Sequence, residues 1–156
     1  MTIVFVIKYL HVLGAIVILG TGSGIAFFML MAHLSKDAAF IARTASVVVI
    51  ADSFFTLSAV VAQPITGAEL MYVEQISIRE HWILAALALY VIAGLAWIPV
   101  VIMQAEMRDL ARAAADKGEP LPPRYFSLFH RWFIFGIPGF GAVMATLWLM
   151  IAKPDL

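Results

Sequence analysis

A chain of 156 residues that is 63% hydrophobic and only 13% charged departs from a soluble domain, in which roughly 25% of residues carry charge. Its formal net charge of zero gives no support for a nucleic-acid or polyanion partner. The absence of cysteine excludes disulfides, thiolate metal sites, iron–sulfur clusters and a cysteine nucleophile.

So much apolar surface cannot be hidden within one globule of this size, and the lipid bilayer is its expected partner. The first apolar run covers residues 3–31. It lacks a leading basic region, exceeds the ~7–15 residues of a signal core and has no small-x-small cleavage site, so it reads as a retained transmembrane helix. It carries Lys8, Tyr9 and His11, and its Gly20 and Gly24 have the small-xxx-small spacing that admits a close helix neighbour. The second run, residues 44–70, holds Asp52, Gln63, Pro64 and Thr66. The third, residues 82–103, follows His81 and contains Tyr90, Trp97 and Pro99.

The polar stretch 104–124 comes next. Helix formers from Gln104 to Asp116 predict that the third helix continues out of the membrane, until Lys117-Gly118-Glu119-Pro120 stops it. Pro122-Pro123 makes a stiff approach to the fourth run, residues 133–151, with Gly136, Gly139 and Gly141 around Pro138. Each internal proline frees a carbonyl one turn earlier. Trp82, Trp132 and Trp148 fall near span ends, where an interfacial position is expected, and Trp97 lies deeper. Each run has at least the ~17–20 residues needed to cross a ~30 Å core. Continuous runs of this length exclude a β-barrel. The expected fold is an all-α, four-transmembrane-helix antiparallel bundle forming a single integral membrane domain over 1–156.

Orientation follows from the basic residues. Lys36, Arg43, Arg108, Arg112, Lys117, Arg124 and Arg131 share one side, against Lys8, Arg79 and Lys153 on the other. The excess places the two basic loops in the cytoplasm and both termini outside, on the periplasmic side of a bacterial inner membrane.

Polar groups inside hydrocarbon are costly and mark candidate functional positions. Lys8 and His11 lie three apart on one helix face. His11 is too short to snorkel as Lys8 can. Antiparallel packing would set His11, Gln63 and Tyr90 in one outer layer, with His81 just above it and Asp52 deeper in the membrane. His33 and His130 form a possible second histidine level on the cytoplasmic side, a layout similar to membrane di-haem cytochromes. No nucleotide loop, zinc pattern or nucleophile elbow is present.

Lys8-Tyr9-Leu10-His11-Val12-Leu13-Gly14 resembles the opening of a bacterial family of uncharacterised, predicted integral membrane proteins. Three further stretches, in the second and third spans, carry the resemblance, which covers all four spans and most of the chain: Ala51-Asp52, Val60-Val61-Ala62-Gln63-Pro64-Ile65-Thr66-Gly67, and Leu89-Tyr90 through Trp97-Ile98-Pro99. A histidine in the outer part of the first helix, ahead of glycines, is also similar to the membrane protoporphyrinogen oxidase and copper-resistance D groups. The first resemblance implies haem b ligation or redox chemistry through His11, and the second implies copper handling.

On this reading His11 binds haem b or another redox cofactor. Lys8 neutralises an anionic group of that cofactor, Gln63 and Tyr90 donate supporting hydrogen bonds, and His81 is a further candidate. Asp52 acts as a proton-relay carboxylate or the partner of a buried cation. Two other readings stay open: a small proton, ion or solute transporter using Asp52 and His11, and an accessory subunit that docks other membrane subunits or a second copy through its glycine faces. A C-terminal fusion reporter that works only in the cytoplasm is expected to be silent; an active one reverses the topology.

Overall fold

The computed structural model describes residues 2–154. Helix α1 runs from Ile3 to Ser35, α2 from Ala38 to Ala51 and α3 from Leu57 to Val73. A π-helical turn, Asp52–Thr56, joins α2 to α3 without a break, so the two cross as one span. Helix α4 covers His81–Lys117 and α5 Pro123–Ala152. The four spans contain 33, 36, 37 and 30 residues and are long and apolar enough to cross a membrane. At ~1.5 Å per residue each exceeds the ~30 Å hydrocarbon core and extends past it. The fold is the expected all-α, four-helix bundle, with no strand among the described residues.

Local chemistry sets the helix ends. Helix α1 stops as Lys36 turns left-handed at φ 58°. Asp37 then caps α2, its carboxylate accepting from the backbone N–H of Ala39 at 2.8 Å and Phe40 at 3.1 Å. Helix α4 continues well past the apolar run and ends at Gly118, whose φ of 66° suits a residue without a Cβ. Pro123 opens α5 at the position where a missing N–H costs nothing.

That start lies ten residues before the apolar run at 133. Arg124, His130 and Arg131 mask the early turns in a hydropathy reading, while Tyr125, Leu128 and Trp132, at helical spacing, point into the core. Trp132 is therefore buried within the bundle, and so is Trp82, which packs with Ile83, Ala86 and Leu149. Trp148 is exposed.

Two ends of the bundle can be distinguished: a basic end with the α1–α2 and α4–α5 links, and a terminal end with both chain termini and the α3–α4 loop. The main core fills the basic half, where Met29, Ile41, Ala45, Met107, Ala111 and Tyr125 close around one another. Alanines along α2 and α4 let these helices approach closely. Toward the terminal end the helices pair as α1 with α3 and α4 with α5. At Gly139 an added Cβ would stand 3.2 Å from Ala96 Cβ, so this glycine sets the α4–α5 approach. Gly20 and Gly24 behave differently from their sequence expectation: neither meets another helix within 4 Å.

At the terminal end Lys8 Nζ lies 2.6 Å from Glu74 Oε1, tying the start of α1 to the end of α3. The hydrogen bond from Lys8 holds the Glu74 carboxyl below its ordinary value. A depressed carboxyl stabilises the fold above its unfolded value, and that contribution disappears as pH falls through the folded one. For this exposed pair it amounts to about 0–1 kcal/mol. Thermal unfolding in detergent is expected to show a small loss of stability as pH drops below the ordinary glutamate range, and Glu74→Gln should remove that pH-dependent part.

Candidate functional site

Two polar constellations sit within the apolar bundle. The first joins α1 to α3. Thr66 is 8% exposed, and its hydroxyl donates to the Ala62 carbonyl one turn back at 2.8 Å. With that proton committed, the 2.8 Å contact between His11 Nδ1 and Thr66 Oγ1 is a bond donated by the imidazole. In the neutral ring this is the Nδ1–H tautomer, which leaves the lone pair on Nε2. Gln63 completes the attachment by donating from Nε2 to the His11 carbonyl at 2.7 Å.

Glycines make room for both contacts. A Cβ on Gly14 would come within 2.5 Å of Gln63 Nε2, and one on Gly67 within 3.3 Å of His11 Cε1. Pro64 acts in another way. It has no N–H for the Val60 carbonyl, and Tyr90 Oη on α4 fills that vacancy, donating to Val60 O at 2.6 Å. Every named residue of Gln63-Pro64-x-Thr66-Gly67 thus has a physical role. Three of them hold or accommodate His11, and Pro64 opens an acceptor for α4.

His11, Gln63 and Tyr90 lie toward the terminal end, tied to neighbouring helices through the backbone carbonyls of His11 and Val60. Lys8 is ion-paired with Glu74. His81 is exposed at the first residue of α4 and makes no side-chain hydrogen bond among the described residues.

The second constellation surrounds Asp52, which is only 3% exposed. Trp97 Nε1 of α4 donates to both carboxylate oxygens, at 3.2 and 3.3 Å. Gln104, fully buried, satisfies both ends of its amide when Nε2 donates to Asp52 Oδ2 at 3.2 Å and its oxygen accepts from Trp132 Nε1 at 3.1 Å. A relay therefore runs from α5 through α4 to the π turn. Thr56, in the same turn, is 5% exposed, and its hydroxyl has no hydrogen-bond partner among the described residues.

Sequence reasoning placed Asp52 but not its partners. The signal for Gln104 was available: Val100, Met103, Gln104, Met107 and Ala111 follow helical spacing, which sets the glutamine on the buried face.

At the basic end, His33 and His130 do come together. They line a pocket of about 360 Å³ with Leu30, Phe126, Phe129 and Phe133. The His33 ring stacks on Phe129 at 3.7 Å between centroids, and its Nδ1 is 3.3 Å from Tyr125 Oη. No group of three or more His, Asp or Glu side chains gathers as a metal-ion site among the described residues.

Four membrane-length helices tied together by hydrogen bonds across their apolar interfaces define a multi-pass integral membrane protein. The chain belongs to the family described as "Predicted integral membrane protein (DUF2269)", which it matches over residues 5–154. That match takes in all four spans, the His11 attachment and the Asp52 relay. No curated protein and no solved structure matches the chain.

The proline-freed carbonyl gives a direct test. Tyr90→Phe leaves Val60 O without its donor and is expected to cost about 1 kcal/mol in unfolding measurements in detergent. Adding Pro64→Ala restores a backbone N–H to that carbonyl and should recover most of the loss.

Proposed function

We propose that the protein binds haem b, or a closely related redox cofactor, through His11, and serves electron transfer in a bacterial inner membrane with both termini outside. The observation that carries this reading is the commitment of His11 Nδ1–H to Thr66, whose own proton goes to Ala62. A histidine that ligates a metal donates its other ring nitrogen to a fixed acceptor, which orients the ring and raises the basicity of the free nitrogen. His11 has this arrangement built into the contact between α1 and α3.

The donor chemistry fits a haem better than a bare ion. His11 offers one protein nitrogen with no group of three ligands gathered among the described residues, and a single axial histidine is enough to hold haem iron. When bound, the cofactor would supply one-electron chemistry by cycling its iron between two oxidation states. The chain's own groups do the positioning. Thr66 selects the tautomer, Gln63 fixes the backbone that carries His11, and Tyr90 braces α3 against α4. The ion pair of Lys8 with Glu74 closes the α1–α3 seam above the histidine.

Absorption spectra of detergent-purified protein from haem-replete cells test the reading. A Soret band that sharpens on dithionite reduction and is lost in His11→Ala, but kept in His33→Ala, is expected. Thr66→Val should weaken haem retention by about 10–100-fold, the usual effect of removing a ligand's supporting bond. A colourless preparation overturns the proposal, as does a band that depends on His33 and survives His11→Ala.

A further inference from the structure

We infer that Asp52 is a proton-binding site in the membrane interior, with partners built into the surrounding helices for both of its protonation states. Asp52 needs no cofactor at His11 for this role, and it is isolated from other charges. No ionisable side chain lies between His11 and His33 on α1, between Tyr90 and Glu106 on α4, or between Arg131 and Lys153 on α5. From Arg43 to Glu69 on the second span, Asp52 stands alone. No cation pairs with it among the described residues. Its negative charge, when present, is compensated only by neutral hydrogen-bond donors.

Those donors match the ionised form. Trp97 Nε1–H and Gln104 Nε2–H both give protons to the carboxylate, and an ionised carboxylate only accepts. A protonated acid additionally needs an acceptor for its own O–H. Thr56 supplies one: its buried hydroxyl is unengaged, and it lies four residues on within the same widened turn, which keeps it on the Asp52 side of the helix. Several Ser and Thr hydroxyls in the spans donate back to their own helix, as Thr66 and Thr146 do. Within the π turn Ser53 also bonds back, to the Val49 carbonyl at 2.7 Å, and Thr56 does not. The turn closes with Leu57 N–H bonded to the Asp52 carbonyl, a geometry common at functional positions. Because a hydroxyl rotates, Thr56 can donate to the ionised carboxylate and accept from the acid, so it serves the site in either protonation state.

Infrared spectra of the protein in phosphatidylcholine vesicles, recorded through a pH titration, read the site directly. The wild type is expected to gain a carboxylic-acid C=O band on acidification that is absent from Asp52→Asn. Trp97→Phe removes a donor to the ionised form and should move the midpoint of that band to higher pH by about one unit, a tenfold change in proton affinity. Thr56→Val removes the acceptor of the acid's O–H and should shift the frequency of that C=O band. If Asp52→Asn fails to fold, the Trp97→Phe midpoint shift still decides the matter. A band unchanged in Asp52→Asn overturns the inference, and so does a midpoint that Trp97→Phe leaves unmoved.

Discussion

Inside a bilayer a polar group has no water to bond with, and each one left alone costs several kcal/mol. Hydrocarbon also removes the usual reason for helices to associate, since a leucine is as comfortable against lipid as against a neighbour. The helix contacts on which this bundle depends are accordingly hydrogen bonds from side chains to groups on other helices. Gln63 reaches the His11 carbonyl, Tyr90 reaches Val60, Trp97 reaches Asp52 and Trp132 reaches Gln104. Glycine and alanine at the crossings bring the backbones close enough for these bonds to form.

The bonds are distributed unevenly, and that gives the two sites different characters. The His11 attachment lies within the α1–α3 pair, where Thr66, Gln63 and Gly67 come from a few neighbouring residues of one helix. The site is local, and a single short motif specifies it. The Asp52 relay draws on the π turn, α4 and α5 together, beside the close-packed basic half. Moving any of those helices would loosen the carboxylate from a donor. An imidazole held by one ring nitrogen, and a buried carboxyl met by neutral donors, are different chemical environments within one small bundle.

Much of this is readable from residue order. Four apolar runs give four spans, and Gly118 and Pro123 mark a helix stop and a helix start. Pro64 announces a free carbonyl, and His11, Gln63 and Tyr90 fall at one depth. The readings that change do so because hydropathy averages over faces. Trp132 resembles a belt residue until the polar turns before it prove to be an amphipathic helix with a buried stripe. Gly20 and Gly24 have a packing motif that no helix of this chain occupies. Lys8 looks free to meet an anion, and Glu74 lies beyond the apolar run that would draw attention to it.

Residue order alone determined the membrane location, the number of spans and the identity of the polar side chains that needed partners. These follow from the free energy of moving each residue into hydrocarbon, which is a property of composition along the chain. The partners themselves were decided by the tertiary structure. Thr66 is 55 positions from His11, Trp97 is 45 from Asp52, and hydrogen bonds over such separations depend on which helices touch and in what register. The free Nε2 of His11 and the idle hydroxyl of Thr56 exist only because of where neighbouring groups direct their protons.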